Sequence, residues 1–86
     1  MSAIGREAIK QAIFDALGAI APEADLGALV PGQPIRDQLD IDSFDFLNVI
    51  IKLHQQLGVE IPETDYARLA TLDGALDYLA AKTAAR

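Results

Sequence analysis

The chain has 86 residues, 51% of them hydrophobic, and thirteen acidic against seven basic side chains give a formal charge of −6. That length suits one small domain spanning residues 1–86, whose folding hides only about 60% of the surface of the unfolded chain, so a deep self-contained catalytic cleft is not expected. The apolar share excludes disorder, and the negative sign disfavours phosphate backbones, so no nucleic-acid partner is expected.

Residues 3–20 place Ile4, Ala8, Ile9, Ala12, Ile13, Ala16, Leu17 and Ile20 at three- and four-residue spacings, which predicts an amphipathic helix capped by Ser2 and stopped by Pro22. Residues 21–42 contain three of the four prolines and predict a long irregular loop. Leu26, Leu29, Val30, Ile35 and Leu39 are expected to pin it to the core, with a short turn at Arg36 to Leu39. A second helix is predicted over 43–57, with Asp45 in its first turn and Gly58 just past its end. Val59 to Pro62 reads as an extended connector and Thr64 to Leu69 as a short helix. Thr71 then caps a last helix through Leu72, Ala75, Leu76 and Leu79 that frays from Ala80 onward. No period-two strand pattern occurs. The expected fold is all-α, a four-helix bundle with three main helices, a short third one and a long first loop.

Cys is absent and His54 is the sole histidine, so disulfides, thiolate nucleophiles and two-His metal sites are all excluded. The opening Met1-Ser2-Ala3-Ile4-Gly5-Arg6-Glu7 lacks an apolar export core. The longest strictly aliphatic run, Val49-Ile50-Ile51, is far short of a membrane span. A cytoplasmic monomer with no membrane span is expected.

On a helical wheel Phe46, Val49, Ile50, Leu53 and Leu57 share the face that should meet the core, while Asp45, Lys52, Gln55 and Gln56 lie mostly opposite. Phe44, Leu47 and Ile51 belong to neither group and form an apolar shoulder beside Asn48 and Gln55. A loop or the short helix would cover that shoulder, or it would dock another protein. Ser43 stands where the loop meets this ridge. Either Ser43 or Asp42 caps the helix, which leaves the other spare. His54 lies eleven residues on, about 16 Å along the axis, too far to serve Ser43 as a base. A calcium loop begun at Asp40 and Asp42 fails, because Phe44, Asp45 and Ile51 fall where an oxygen ligand, Gly and Glu are required. The acids near Ser43 read as a solvated surface at a helix N-terminus, and no metal site is expected.

Asp42-Ser43-Phe44-Asp45 opening an aliphatic helix, followed by Leu57-Gly58-Val59-Glu60-Ile61-Pro62, resembles an acyl carrier protein. The family pattern is Asp-Ser-Leu-Asp, then an acidic-Ile-Pro connector, a short helix and a Thr-capped last helix. The resemblance covers nearly the whole chain and implies a free-standing, non-catalytic carrier. A phosphopantetheinyl transferase would attach 4′-phosphopantetheine from coenzyme A to the Ser43 hydroxyl, and the thiol of that arm would hold acyl groups as thioesters. The thiol would thus be imported into a chain without Cys. It further implies that the phosphodiester stays solvated while the arm swings freely, and that the aliphatic interior parts to shelter an acyl chain. Asp37, Asp40, Asp42, Phe44, Asp45, Leu47, Asn48 and Ile51 would dock partner enzymes bearing basic and apolar patches, which deliver or process acyl groups for fatty-acid, polyketide or specialised lipid pathways. Asn48, His54 and Gln55 depart from the Glu usual at such positions, and Lys52 adds a positive charge, which points to a dedicated pathway. An aminoacyl, D-alanyl or peptidyl carrier would use the same Ser43. A helical interaction module without a prosthetic group is the alternative from a different class.

Overall fold

The computed structural model describes residues 5–84. Three long helices, α1 (Arg6–Ile20), α3 (Ser43–Leu57) and α4 (Leu72–Ala84), enclose the core, and a short α2 (Ile35–Leu39) interrupts the first loop. Two 3₁₀ segments, Leu26–Ala28 and Glu63–Leu69, complete the described residues, which contain no strand. The all-α bundle expected from periodicity is the fold observed, with the short helix after the Ile-Pro connector wound as 3₁₀.

Helix α1 buries Ile9, Ala12, Ile13, Ala16 and Leu17, the spacing of one helical face. Its N-cap is Gly5, and the expected Ser2 cap lies outside the described residues, as does Ile4. Ala8 is exposed, so the buried face begins one residue later than the pattern suggested. The helix closes on Ala21, whose N–H donates to the Leu17 carbonyl at 2.7 Å, directly before Pro22.

The long loop is held by one side chain above others. The Gln38 amide accepts from Val30 N–H at 2.7 Å and donates to the Val30 and Gln33 carbonyls, both at 3.0 Å. Two backbone bonds tie the same stretch to the start of α4: Ile35 N–H to the Ala70 carbonyl at 2.8 Å and Asp73 N–H to the Pro31 carbonyl at 3.1 Å. Ile35 is buried, and Leu26, Leu29 and Leu39 are partly buried against the core. Val30 is a correction: its side chain is 52% exposed, because the loop is anchored there by its backbone. Helix α2 ends at Asp40, which adopts the left-handed conformation (φ 55°) that ordinarily favours Gly or Asn.

Helix α4 is capped by Thr71, whose Oγ1 accepts from Gly74 N–H at 3.0 Å, the cap expected from sequence. Gly74 also lets two backbones approach, since a Cβ there would lie 2.6 Å from the Arg68 carbonyl oxygen. The helix stays regular to Ala84 rather than fraying from Ala80. Thr83, buried on its inner face, donates to the Leu79 carbonyl at 2.9 Å. The Tyr78 hydroxyl donates to Asp65 at 2.6 Å, and Arg68 stacks on the Tyr78 ring at 5.0 Å, so the second 3₁₀ segment is clamped to α4. No described helix is long and apolar enough to cross a membrane.

A candidate prosthetic-group attachment site

The head of α3 settles which residue is the cap. Asp42 has extended backbone geometry and its Oδ1 accepts from Asp45 N–H at 2.8 Å, while its carbonyl accepts from Phe46 N–H at 3.0 Å. Asp42 therefore does the capping, worth about 1 kcal/mol, and Ser43 is the first residue inside the helix. Ser43 is exposed, and its hydroxyl has no hydrogen-bond partner among the described residues. The arrangement presents a primary alcohol at a capped helix end, with no hydrogen bond among the described residues to hold it.

No side chain among the described residues is hydrogen-bonded to it as a base. His54 sits in the last turn of α3, where its Nδ1 donates to the Val59 carbonyl at 2.6 Å. That bond secures the turn around Gly58, which takes φ 68° as the helix leaves. The described residues hold no group of three or more His, Cys, Asp or Glu able to hold a metal ion. Within the described residues the Ser43 hydroxyl therefore has no hydrogen-bonded group to activate it.

Ser43 opens onto an apolar groove of about 450 Å³ lined also by Arg36, Phe44, Phe46, Leu47, Tyr66, Ala67 and Ala70. Sequence reasoning missed most of these positions. The helical wheel places Phe46 on the core face, whereas it is half-buried and lines the groove as well as the interior. Tyr66, Ala67 and Ala70 sit in and just after a seven-residue 3₁₀ segment, too short for periodicity to assign its faces. Arg36 carried one available signal, as the base directly before the acids of 37–45. In contrast, the interior between α1, α3, Leu69 and Ala75 has a void of only about 10 Å³, so the core as described is closed to an acyl chain.

The expected docking residues divide into groups. Phe44 is 75% and Ile51 43% exposed, and with Asn48 between them they form an outward stripe on α3. Leu47 turns a little from that stripe, half-buried along the groove. Asp37, Asp40 and Asp42 are exposed and Asp45 is half-buried, all close in sequence to Ser43. Lys52, which adds a positive charge to this helix, is exposed and lines a shallow depression with Asp15, Ala16, Ala19, Gln55 and Gln56 toward α1.

A family profile described as the phosphopantetheine attachment site matches residues 7–79. The acyl carrier protein of Thermosynechococcus vestitus is 33% identical over 79 residues, covering 92% of this chain and 91% of that protein. That of Acidothermus cellulolyticus is 29% identical over 83 residues, covering 94% and 95%. The solved structure of the acyl carrier protein from Enterococcus faecalis superposes with a TM-score of 0.72 at 23% identity, over 92% of this chain and 99% of that one, a likeness of fold. With matches running almost end to end, the chain belongs to the acyl carrier protein family, whose members carry acyl groups on a 4′-phosphopantetheine arm supplied by a transferase.

Proposed function

We propose that Ser43 is the residue to which the arm is attached, and that residues 1–86 act as one non-catalytic carrier unit. The observation that supports this reading is the division of labour at the head of α3: Asp42 holds the helix cap and leaves the adjacent hydroxyl exposed beside an apolar groove. In the attachment step the Ser43 oxygen forms a bond to phosphorus and gives up its proton, while the pyrophosphate link of coenzyme A breaks and releases the nucleotide. The transferase supplies the base, consistent with a Ser43 hydroxyl that has no hydrogen-bond partner among the described residues. When bound, the group contributes a terminal thiol that holds acyl cargo as a thioester.

The chain's own residues position that hydroxyl and receive partners. Because α3 begins rigidly at a capped turn, Ser43 is presented at a constant place relative to the Phe44, Asn48 and Ile51 stripe. Phe44 and Ile51 supply apolar contact, and Asp37, Asp40, Asp42 and Asp45 steer basic surfaces toward Ser43, a role that acts on encounter rate and partner choice more than on affinity. Acyl-transferring and acyl-processing enzymes of the cytoplasm are the partners this face fits, and a monomer leaves it free. Incubation with coenzyme A and a broad-specificity phosphopantetheinyl transferase, read by intact mass, tests the assignment. Wild type should gain one phosphopantetheine and Ser43→Ala none; a gain retained by Ser43→Ala refutes it.

A further inference from the structure

We propose that Arg36 and the groove beside Ser43 form a resting site for the phosphopantetheine arm, so that the arm lies against the protein between encounters instead of swinging freely. The inference rests on the reading of Ser43 as the attachment residue. Its starting point is electrostatic. A phosphodiester on Ser43 carries a negative charge into a neighbourhood that already holds Asp42 and Asp45. The N-terminus of α3, which would otherwise attract phosphate, is occupied by the Asp42 carboxylate. Arg36 is the one cation lining the groove that contains Ser43, and it forms no ion pair with another described residue. Its guanidinium is therefore an uncommitted partner for an anion at Ser43, with the planar donor geometry that suits phosphate.

The remaining lining extends the match. Beyond the phosphate, a pantetheine arm presents a gem-dimethyl carbon and then a chain of methylenes and amides. Leu47, Ala67 and Ala70 offer small apolar surface for the first part, and the half-buried Tyr66 offers a ring beside it. The groove already exists at about 450 Å³ without any opening of the core, so occupying it requires no separation of helices. Attachment at its rim makes the contact intramolecular, and even a weak interaction is then substantially populated. A partner's docking side chain is the competing occupant, but the groove's cation favours an anionic guest over the basic patches that the surrounding acids attract.

The test uses the ¹⁵N-labelled full chain before and after loading, with intact mass recorded on the same samples. Loading should shift the amides of Tyr66, Ala67 and Ala70 and the Tyr66 ring, far in sequence from Ser43. Arg36→Gln should reduce those shifts about two- to fivefold, the range expected for one solvent-exposed charge pair, and Arg36→Lys should restore part of them. Added salt should act in the same direction as Arg36→Gln. The apo spectrum of Arg36→Gln reports whether its fold is intact, and Tyr66→Ala, which removes the ring but keeps the charge, supplies an independent reduction. Full loading with shifts confined to residues adjacent to Ser43, or with distal shifts indifferent to Arg36→Gln, overturns the resting site alone. A wild-type chain that gains no mass overturns the attachment reading, and the resting site with it.

Discussion

The two flanks of α3 are built from similar residues and end in opposite states. Toward α1, Val49, Ile50 and Leu53 are buried within a core that also holds Ile9, Ile13 and Leu17, with almost no void. Toward the second 3₁₀ segment, Phe46 and Leu47 are only half-buried beside a groove. The difference lies in the opposing element. Helix α1 is as long as α3, and the pair forms the most extensive contact in the molecule, so their side chains interlock over several turns. The 3₁₀ segment has seven residues and spends its packing on α4 through Tyr78, Asp65 and Arg68. Apolar composition sets which residues seek burial; the length and commitments of the neighbour set whether they obtain it.

The contrast can be tested from its closed side first. Leu53→Ala removes a side chain buried among residues with little room to collapse, and should cost about 3 kcal/mol in urea unfolding. Gly74→Ala drives a methyl against the Arg68 carbonyl and pushes the 3₁₀ segment off α4. A cost of about 1–2 kcal/mol is expected, net of the better helix propensity of Ala, with the groove residues Tyr66 and Ala67 shifted most in the amide spectrum.

Tyr78→Phe keeps the ring and deletes the hydrogen bond to Asp65, for a loss of about 1.5 kcal/mol at neutral pH. Burial, and then the hydrogen bond to and charge of Asp65, push the Tyr78 hydroxyl up to about 12 from an ordinary value near 10. The fold therefore favours the neutral phenol. Its contribution is complete below about pH 10 and is lost as pH rises through about 12, so the gap in melting temperature between wild type and Tyr78→Phe should shrink over that window. A gap that stays constant there removes the clamp from the explanation. Phe44→Ala should move stability least, within about 0.5 kcal/mol, since the side chain is three-quarters exposed. Its effect belongs to partners: an apparent KM for the transferase raised about fivefold or more is the expected outcome for a docking anchor.

Much of this was legible in the residues. The i, i+4, i+8 spacing of Ile9, Ile13 and Leu17 and the three- and four-residue steps from Ile50 and Val49 to Leu53 specified two buried helix faces, because a regular helix repeats its geometry and makes position along the chain equivalent to direction in space. Thr71 before α4 and Gly58 after α3 were readable for a similar reason, since helix ends need local partners. The Asp-Ser-Phe-Asp and Ile-Pro spacing marked the family that the comparisons then showed. The groove was not legible. It joins Arg36 from α2, Ser43 and Leu47 from α3 and Tyr66 from the 3₁₀ segment, positions separated by connectors with no period to follow.

Sequence alone thus determined the long helices, their buried faces and the family, because each depends on interactions or motifs within a few residues of chain. Only the tertiary structure decided that Val30 stays outside the core and that a lone guanidinium shares a groove with the Ser43 hydroxyl. Those outcomes depend on how separate elements meet, and local chemistry permits more than one such meeting.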